Sequence, residues 1–332
     1  MNAVPGPHQA TKAFRAAATK LRGLHLATDL EQAPDVSRYD GDLEVESDSL
    51  EDDLDAFIAT CGVDMTVPAA TDWDGSRAAA LDQLAWAVKE VLPNYNFHRN
   101  DPSDPTSTSR LSPWMHFGVL SPREVALDVK AADVHSAARW KFLDETLTWR
   151  EYYHHLARVE ADPASYENIP KRARATLEAH AEDERPHIYS LDELTHAETD
   201  DPVWNAAQKQ FLLDGWMHNN LRMYWVKQII KWRPTPQDAW QTACLLNDRL
   251  SLDGRDPSTY GSIQWGFGRS KLAAVKPVYG AVPRRSSGAI RRRASKWVDE
   301  QAERPVTFRA AEVSPETHGP RRPTPPYGRG YL

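Results

Sequence analysis

Cysteine is nearly absent from this sequence: only Cys61 and Cys244 occur in 332 residues. Two thiols cannot build a disulfide framework or a four-cysteine cluster, so iron–sulfur and zinc sites made from cysteine are not expected. Also lacking is any apolar run of the roughly 20 residues that a membrane span needs, and the first residues hold no apolar core of a secretory signal. The expectation is a soluble, cytoplasmic protein. No internal repeat is visible, and no alternating strand pattern of convincing length occurs between Ser76 and Leu252. The net charge of -7 does not exclude nucleic acid, because charge is unevenly distributed: DLEVESDSLEDDLD (42 to 55) is acidic, RRSSGAIRRRASK (284 to 296) basic.

Tryptophan, in contrast, is abundant, with twelve in the chain. An indole can pack, stack on a base or pass an electron, and composition leaves these roles open. Helical patterns dominate. QATKAFRAAATKLR (9 to 22) reads as a helix, and residues 23 to 74 as a loosely ordered acidic connector with one short helix near 50 to 60. SRAAALDQLAWAVKEVL begins an amphipathic series with Ala80, Leu84, Val88 and Leu92 on one stripe. Ser112-Pro113 and Ser121-Pro122 each read as a cap followed by proline in the first helical position. The fold predicted is all-α, a multi-helix bundle over residues 76 to 280. An irregular segment (1 to 75) precedes it, and a basic, then Pro/Gly-rich, frayed tail (281 to 332) follows.

Four stretches carry candidate chemistry. In TSTSRLSPWMHFG (106 to 118), Thr108, Ser109 and Ser112 precede a helix, as phosphate ligands or as ordinary caps. In FLDETLTWREYYHHL (142 to 156), Glu145 and Trp149 are i,i+4 neighbours able to hydrogen-bond and stack one base, or a core indole beside a surface glutamate. GWMHNNLRMYWVKQIIKW (215 to 232) aligns His218, Arg222, Trp225, Ile229 and Trp232 on one face. An arginine on such a face needs an anion, and Asp253 or Asp256 of LNDRLSLDGRDPSTYGSIQW (246 to 265) is its natural partner. That stretch lacks the frame of a calcium loop, and no metal is expected.

In order and spacing, YNFHRNDP, SRLSPWMHFGVLSP, FLDETLTWRE, DPVWNAAQ, GWMHNNLRMYWVKQIIKW and LNDRLSLDGRDPSTY resemble the helical FAD-binding domain of photolyases and cryptochromes. The likeness is greatest to class II cyclobutane pyrimidine dimer photolyases. It implies light-driven repair of pyrimidine dimers in DNA by electron transfer from excited, reduced FAD, in a monomer. The FAD contacts implied are Tyr95, Thr108, Ser109, Leu111, Ser112, Asn205, Gln208, Arg222, Asp253 and Asp256, with Asn247 close to the reactive ring nitrogen. A cation at Arg222 would favour the charged, reduced ring. Glu145, Trp149 and Trp265 match the dimer pocket, Arg99 and Asn100 its edge, and Trp204, Trp225 and Trp232 the positions used in photoreduction. A rise of about 1.5 Å per residue separates Trp225 from Trp232 by about 10 Å along one helix. The basic run beginning at Arg284 and Arg285 is either a phosphate-neutralising surface or a plain tail.

The chain departs from the resemblance in places. The family's N-terminal α/β domain has room here only for a remnant, so an antenna-free or truncated form is expected. RSKLAAVKP (269 to 277) stands where class II enzymes carry a His-Asp-x-Gly-Trp segment that parts the duplex. Ser258 replaces an asparagine, and HNN replaces HG. A flavin photoreceptor or redox sensor that does not repair is the alternative reading.

Overall fold

A computed structural model describes residues 4, 10–26, 37, 40–41, 53–160 and 162–313. Among these, fifteen α-helices and no strand occur, in keeping with the all-α expectation; an isolated bridge joins Lys276 and Gly280. In chain order the helices are α1 (Thr11–His25), α2 (Leu54–Thr60), α3 (Arg77–Trp86), α4 (Tyr95–His98), α5 (Ser112–His116), α6 (Pro122–Ala131), α7 (Ser136–Asp144), α8 (Glu151–Val159), α9 (Lys171–Glu178), α10 (Leu191–Thr195), α11 (Pro202–Asp214), α12 (Asn219–Trp232), α13 (Pro236–Leu250), α14 (Pro257–Gly266) and α15 (Ser287–Glu303). π-Helical turns, Ala87–Val91 and Glu145–Arg150, extend α3 and join α7 to α8.

Local chemistry explains most helix starts. The Ser76 side chain accepts from Ala79 N, Ser121 and Ser190 each form a reciprocal capping box, and Asp201 accepts from Val203 N and Trp204 N. Each cap satisfies amide donors that the first turn leaves without a carbonyl partner. Proline at positions 122, 202, 236 and 257 supplies a pre-set φ where no amide donor is needed. The Ser112 reading is corrected: Leu111 holds the cap position, no side chain caps α5, and Ser112 is its first residue. Gly215, with φ of 61°, ends α11 in the left-handed region and separates it from α12.

Most of the apolar interior lies among α11, α12, α13 and α14, where Trp204, Trp225, Trp240, Phe211 and Phe267 are fully buried. A second cluster gathers Leu84, Val91, Leu92, Leu111, Trp114 and Leu120 from α3 to α6. The third packs Phe14 of α1 against Tyr152, Tyr153 and Leu156. α1 is further tied by Arg15 to Asp144 at 2.9 Å and by Arg22 to Thr148 at 3.0 Å. The short helix expected near 50 to 60 is α2, while 42 to 52 of the acidic stretch lie outside the described residues.

The frayed tail is not what the structure shows between residues 287 and 303. α15 packs along α11, burying Ala294, Trp297, Val298 and Gln301, while Arg291, Arg292, Arg293 and Lys296 stay exposed. Local basic composition concealed an apolar face whose spacing is helical. Residues 314 to 332, including the Pro/Gly-rich end, lie outside the described residues. No described helix is long and apolar enough to cross a membrane.

Candidate functional site

Between the two halves of the bundle lies a cavity of about 760 Å³. One wall is the turn preceding α5. Arg110 adopts φ of 53°, a left-handed conformation uncommon outside glycine, and the chain reverses so that Thr108, Ser109, Leu111 and Ser112 all line the space. Gln83 holds the turn by donating to Ser109 O at 2.8 Å, and the Arg110 guanidinium lies 4.5 Å from the Trp216 ring centre. Tyr95 lines the same cavity, its ring 5.0 Å from Phe142.

The deep wall is built by α12, α13 and the loop leading to α14. Arg222 is buried, donates to Asn247 Oδ1 at 2.8 Å and lies 3.8 Å from Asp253. Asn247 is wholly buried behind it and donates in turn to Thr259 Oγ1 at 3.1 Å and Asp248 Oδ1 at 3.2 Å. Of the two aspartates proposed for Arg222, Asp253 is therefore the partner. Asp256 instead meets Arg150 at 3.5 Å and His116 and His154 at 3.3 Å each. Burial alone would raise the pKa of Asp256, but hydrogen bonds from the two histidines and Ser258 hold it far below the usual carboxylate range.

At the mouth the π-turn sets the geometry. Its wider winding presents Glu145, Trp149 and Arg150 to the cavity together, and such local insertions recur at functional positions. Glu145 is bonded to Lys141 at 2.5 Å and lies 3.8 Å from Arg99. Trp149 faces Trp265 of α14 with ring centres 4.8 Å apart. Arg99, Asn100, Arg284 and Arg285 complete the rim, and Asn220 Nδ2 donates to Asn100 O at 2.6 Å.

No family model matches the chain. It is 36% identical over 216 residues to the deoxyribodipyrimidine photo-lyase of Potorous tridactylus, covering 59% of this chain and 40% of that protein. With the enzyme of the same name from Methanothermobacter thermautotrophicus it shares 35% identity over 228 residues, 68% of this chain and 50% of that protein. Over these stretches the chain is similar to the photolyases and cryptochromes. Solved structures agree in fold. A class III photolyase from Agrobacterium tumefaciens superposes with a TM-score of 0.59 at 21% identity, covering 90% of this chain and 61% of that one. A Synechocystis cryptochrome gives 0.61 at 16%, covering 90% and 60%. The chain spans 40 to 50% of the length of these two photo-lyases.

Three residues expected at the cofactor do not line the cavity: Asn247, which is wholly buried behind Arg222, and Asn205 and Gln208. Asn205 Oδ1 accepts from Thr199 Oγ1 at 2.7 Å, and its amide donates to Thr199 O. Gln208 is wholly buried, donating to Thr195 O at 3.0 Å and accepting from Trp225 Nε1 at 2.8 Å. Both amides are occupied in joining α11 to the preceding loop and to α12. Trp204 and Trp225 stack at 6.3 Å with ring planes 3° apart, and Trp204 meets Trp232 edge-on at 5.5 Å. Trp204, from another helix, thus fills the interval between the two α12 indoles. Phe211 bridges inward, 5.9 Å from Trp225 and 5.3 Å from the Arg222 guanidinium.

Sequence reasoning missed Lys141, Arg150, Trp216 and Lys227, all of which line the cavity. Lys141 was legible, since it stands four residues before Glu145; the others carried no local signal.

Proposed function

We propose that this protein binds FAD in the cavity and uses light to split cyclobutane pyrimidine dimers in DNA. One observation carries the reading: a single space of about 760 Å³ is lined by hydroxyls at Thr108, Ser109 and Ser112, by buried Arg222 with Asp253, and by Glu145, Trp149 and Trp265 at its mouth. The lining suits the cofactor. Arg222 has one neutral oxygen within bonding distance and a carboxylate at 3.8 Å, so part of its guanidinium is available to a ligand. The volume lies within the roughly 300–1,000 Å³ of small-molecule sites.

FAD, when bound and reduced, would supply the light-excited electron that opens the cyclobutane ring and is then returned. The chain's own residues do the rest. Thr108, Ser109 and Ser112 offer hydrogen bonds to the pyrophosphate, with Leu111 and Tyr95 packing beside it. Arg222, steadied by Asn247 and Asp253, places positive charge beside the flavin ring and stabilises its charged reduced form. Asp256 acts at one remove, orienting Arg150, His116 and His154. Glu145 hydrogen-bonds the dimer, and Trp149 with Trp265 packs against the extruded base pair. Arg99, Asn100, Arg284 and Arg285 contact the DNA strand. Trp225, Trp204 and Trp232 carry electrons from the protein surface when the flavin must be reduced.

A non-repairing flavin photoreceptor is the second reading, favoured by RSKLAAVKP at 269 to 277, which contains neither the aspartate nor the tryptophan used to part a duplex. Purified protein reduced under blue light, given single-stranded and duplex DNA bearing a thymine dimer with dark controls, decides between them. Light-dependent repair is the expected outcome, stronger on the single strand. Photoreducible FAD without repair on either substrate would sink the enzyme reading.

A further inference from the structure

Among the described residues Lys227 has no partner of opposite charge. It lies on α12 with 6% of its surface exposed, and its ammonium donates to Gly266 O at the end of α14. The carboxylates lining the cavity are Glu145, Asp253 and Asp256, and each is engaged elsewhere: Glu145 by Lys141 and Arg99, Asp253 by Arg222, Asp256 by Arg150, His116 and His154. Among the described residues Lys227 makes no ion pair. One carbonyl uses one of three ammonium donors, leaving two in the cavity wall.

The charge acting on Lys227 is of the wrong sign. Burial first, and then the nearby Arg285 cation, push its pKa down to about 7. An ammonium removed from water beside a second cation is costly unless an anion joins it. Arg285 is fixed for such a purpose: it donates to Asn220 O at 2.8 Å and also bonds the Asn220 side chain, which reaches the rim at Asn100. Lys271 and Arg284 line the same cavity.

We propose that Lys227 and Arg285 form a phosphate subsite beside Trp265, separate from the hydroxyl-bearing turn at Thr108 to Ser112, which takes a phosphodiester of the bound DNA strand. The inference rests on the DNA-repair reading. A phosphate ester could come from the cofactor or from the strand. The strand is favoured because the carbonyl partner of Lys227 follows Trp265 directly and Arg285 is tied to the rim.

The test measures affinity of the FAD-loaded full chain for a dimer-containing single strand over a range of salt, for wild type, Lys227→Met and Lys227→Arg, with FAD content recorded. Lys227→Met should weaken binding about tenfold and reduce the salt slope by about 0.7, the contribution of one phosphate on a single strand. FAD content should not change, and Lys227→Arg should restore the slope. Loss of FAD by a folded Lys227→Met protein with an unchanged slope would assign the anion to the cofactor and overturn the proposal. An unchanged slope with FAD retained would leave Lys227 as a cap on α14, which also overturns it. If Lys227→Met fails to fold by circular dichroism, Arg285→Gln carries the same expectation, a slope lowered by about 0.7, and an unchanged slope overturns the proposal. A wild-type chain that binds DNA but does not repair it refutes the repair reading while the slopes still decide the subsite; one that binds no DNA refutes both.

Discussion

Trp204, Trp225 and Trp232 lie in a closed core, each at most 4% exposed, whereas Trp149 and Trp265 face the cavity with part of their surface uncovered. The two groups are chemically alike. In the first group neighbouring helices enclose each ring, and the Trp204 and Trp225 indole N–H groups are satisfied by Trp225 O at 3.2 Å and Gln208 Oε1. In the second the rings lie beside Glu145 and leave a face for something else. On the proposed function, the buried trio would serve stability and electron passage, and the partly exposed pair recognition.

The comparison breaks most decisively by truncation. Trp225→Ala should lower the unfolding free energy by about 3–5 kcal/mol, as for large-to-small changes in a packed core. Trp149→Ala should cost about 1 kcal/mol or less yet strongly weaken dimer binding. Urea unfolding of both variants, alongside dimer affinity, checks the pair. If Trp149→Ala proved as destabilising as Trp225→Ala, the division into core and recognition tryptophans would fail.

The start of α12 gives the next effect. His218 caps the helix through Nδ1, which accepts from Asn220 N at 3.0 Å and must therefore be unprotonated. Burial, opposed by Asp101 and reinforced by Arg110, lowers its pKa to about 4. The unfolded chain takes up this proton near pH 6.5 and the folded chain only near 4, so stability is full above 6.5 and declines as pH falls through that window. The loss should approach 2–3 kcal/mol, on the order of 1.4 per unit. Denaturation midpoints at pH 7 and pH 5 should differ for wild type and converge for His218→Asn, which keeps a capping oxygen.

At the mouth, Glu145→Gln removes a charge-assisted hydrogen bond worth about 1.5–3 kcal/mol. Repair should drop about tenfold or more, with FAD binding and thermal midpoint nearly unchanged; equal repair by the variant would remove Glu145 from the site. The smallest effect is expected outside both groups. Arg291→Ala, Arg292→Ala and Arg293→Ala on the exposed side of α15 should each alter stability by about 0.5 kcal/mol or less, whereas Trp297→Ala should clearly loosen α15 from α11 in hydrogen exchange.

How much of this was legible beforehand follows from the range of the forces involved. Ser121 and Pro122 act within one helical turn, so that helix start could be read directly, whereas Ser112 proved to be the first residue of its helix and not the cap. Glu145 and Trp149 share a face because four residues separate them. The choice of Asp253 over Asp256 for Arg222 was not legible, since both stand in one glycine-containing turn and only the approach of α8 gives Asp256 to His154 and Arg150. Asn205 and Gln208 misled for a related reason, because the resemblance carries residue identity but not the direction a helix face takes.

By itself the sequence determined an all-helical chain, the helix start at Ser121-Pro122, a surplus of indoles and one inward-facing arginine, because periodicity and capping are local energies. Only the tertiary structure decided that Trp204 stands between Trp225 and Trp232, that α15 docks on α11, and that Lys227 lies in a cavity wall with no carboxylate left for it among the described residues. Those outcomes depend on how helices far apart in the chain pack together, and packing is settled by the fit of whole faces rather than by any short stretch of residues.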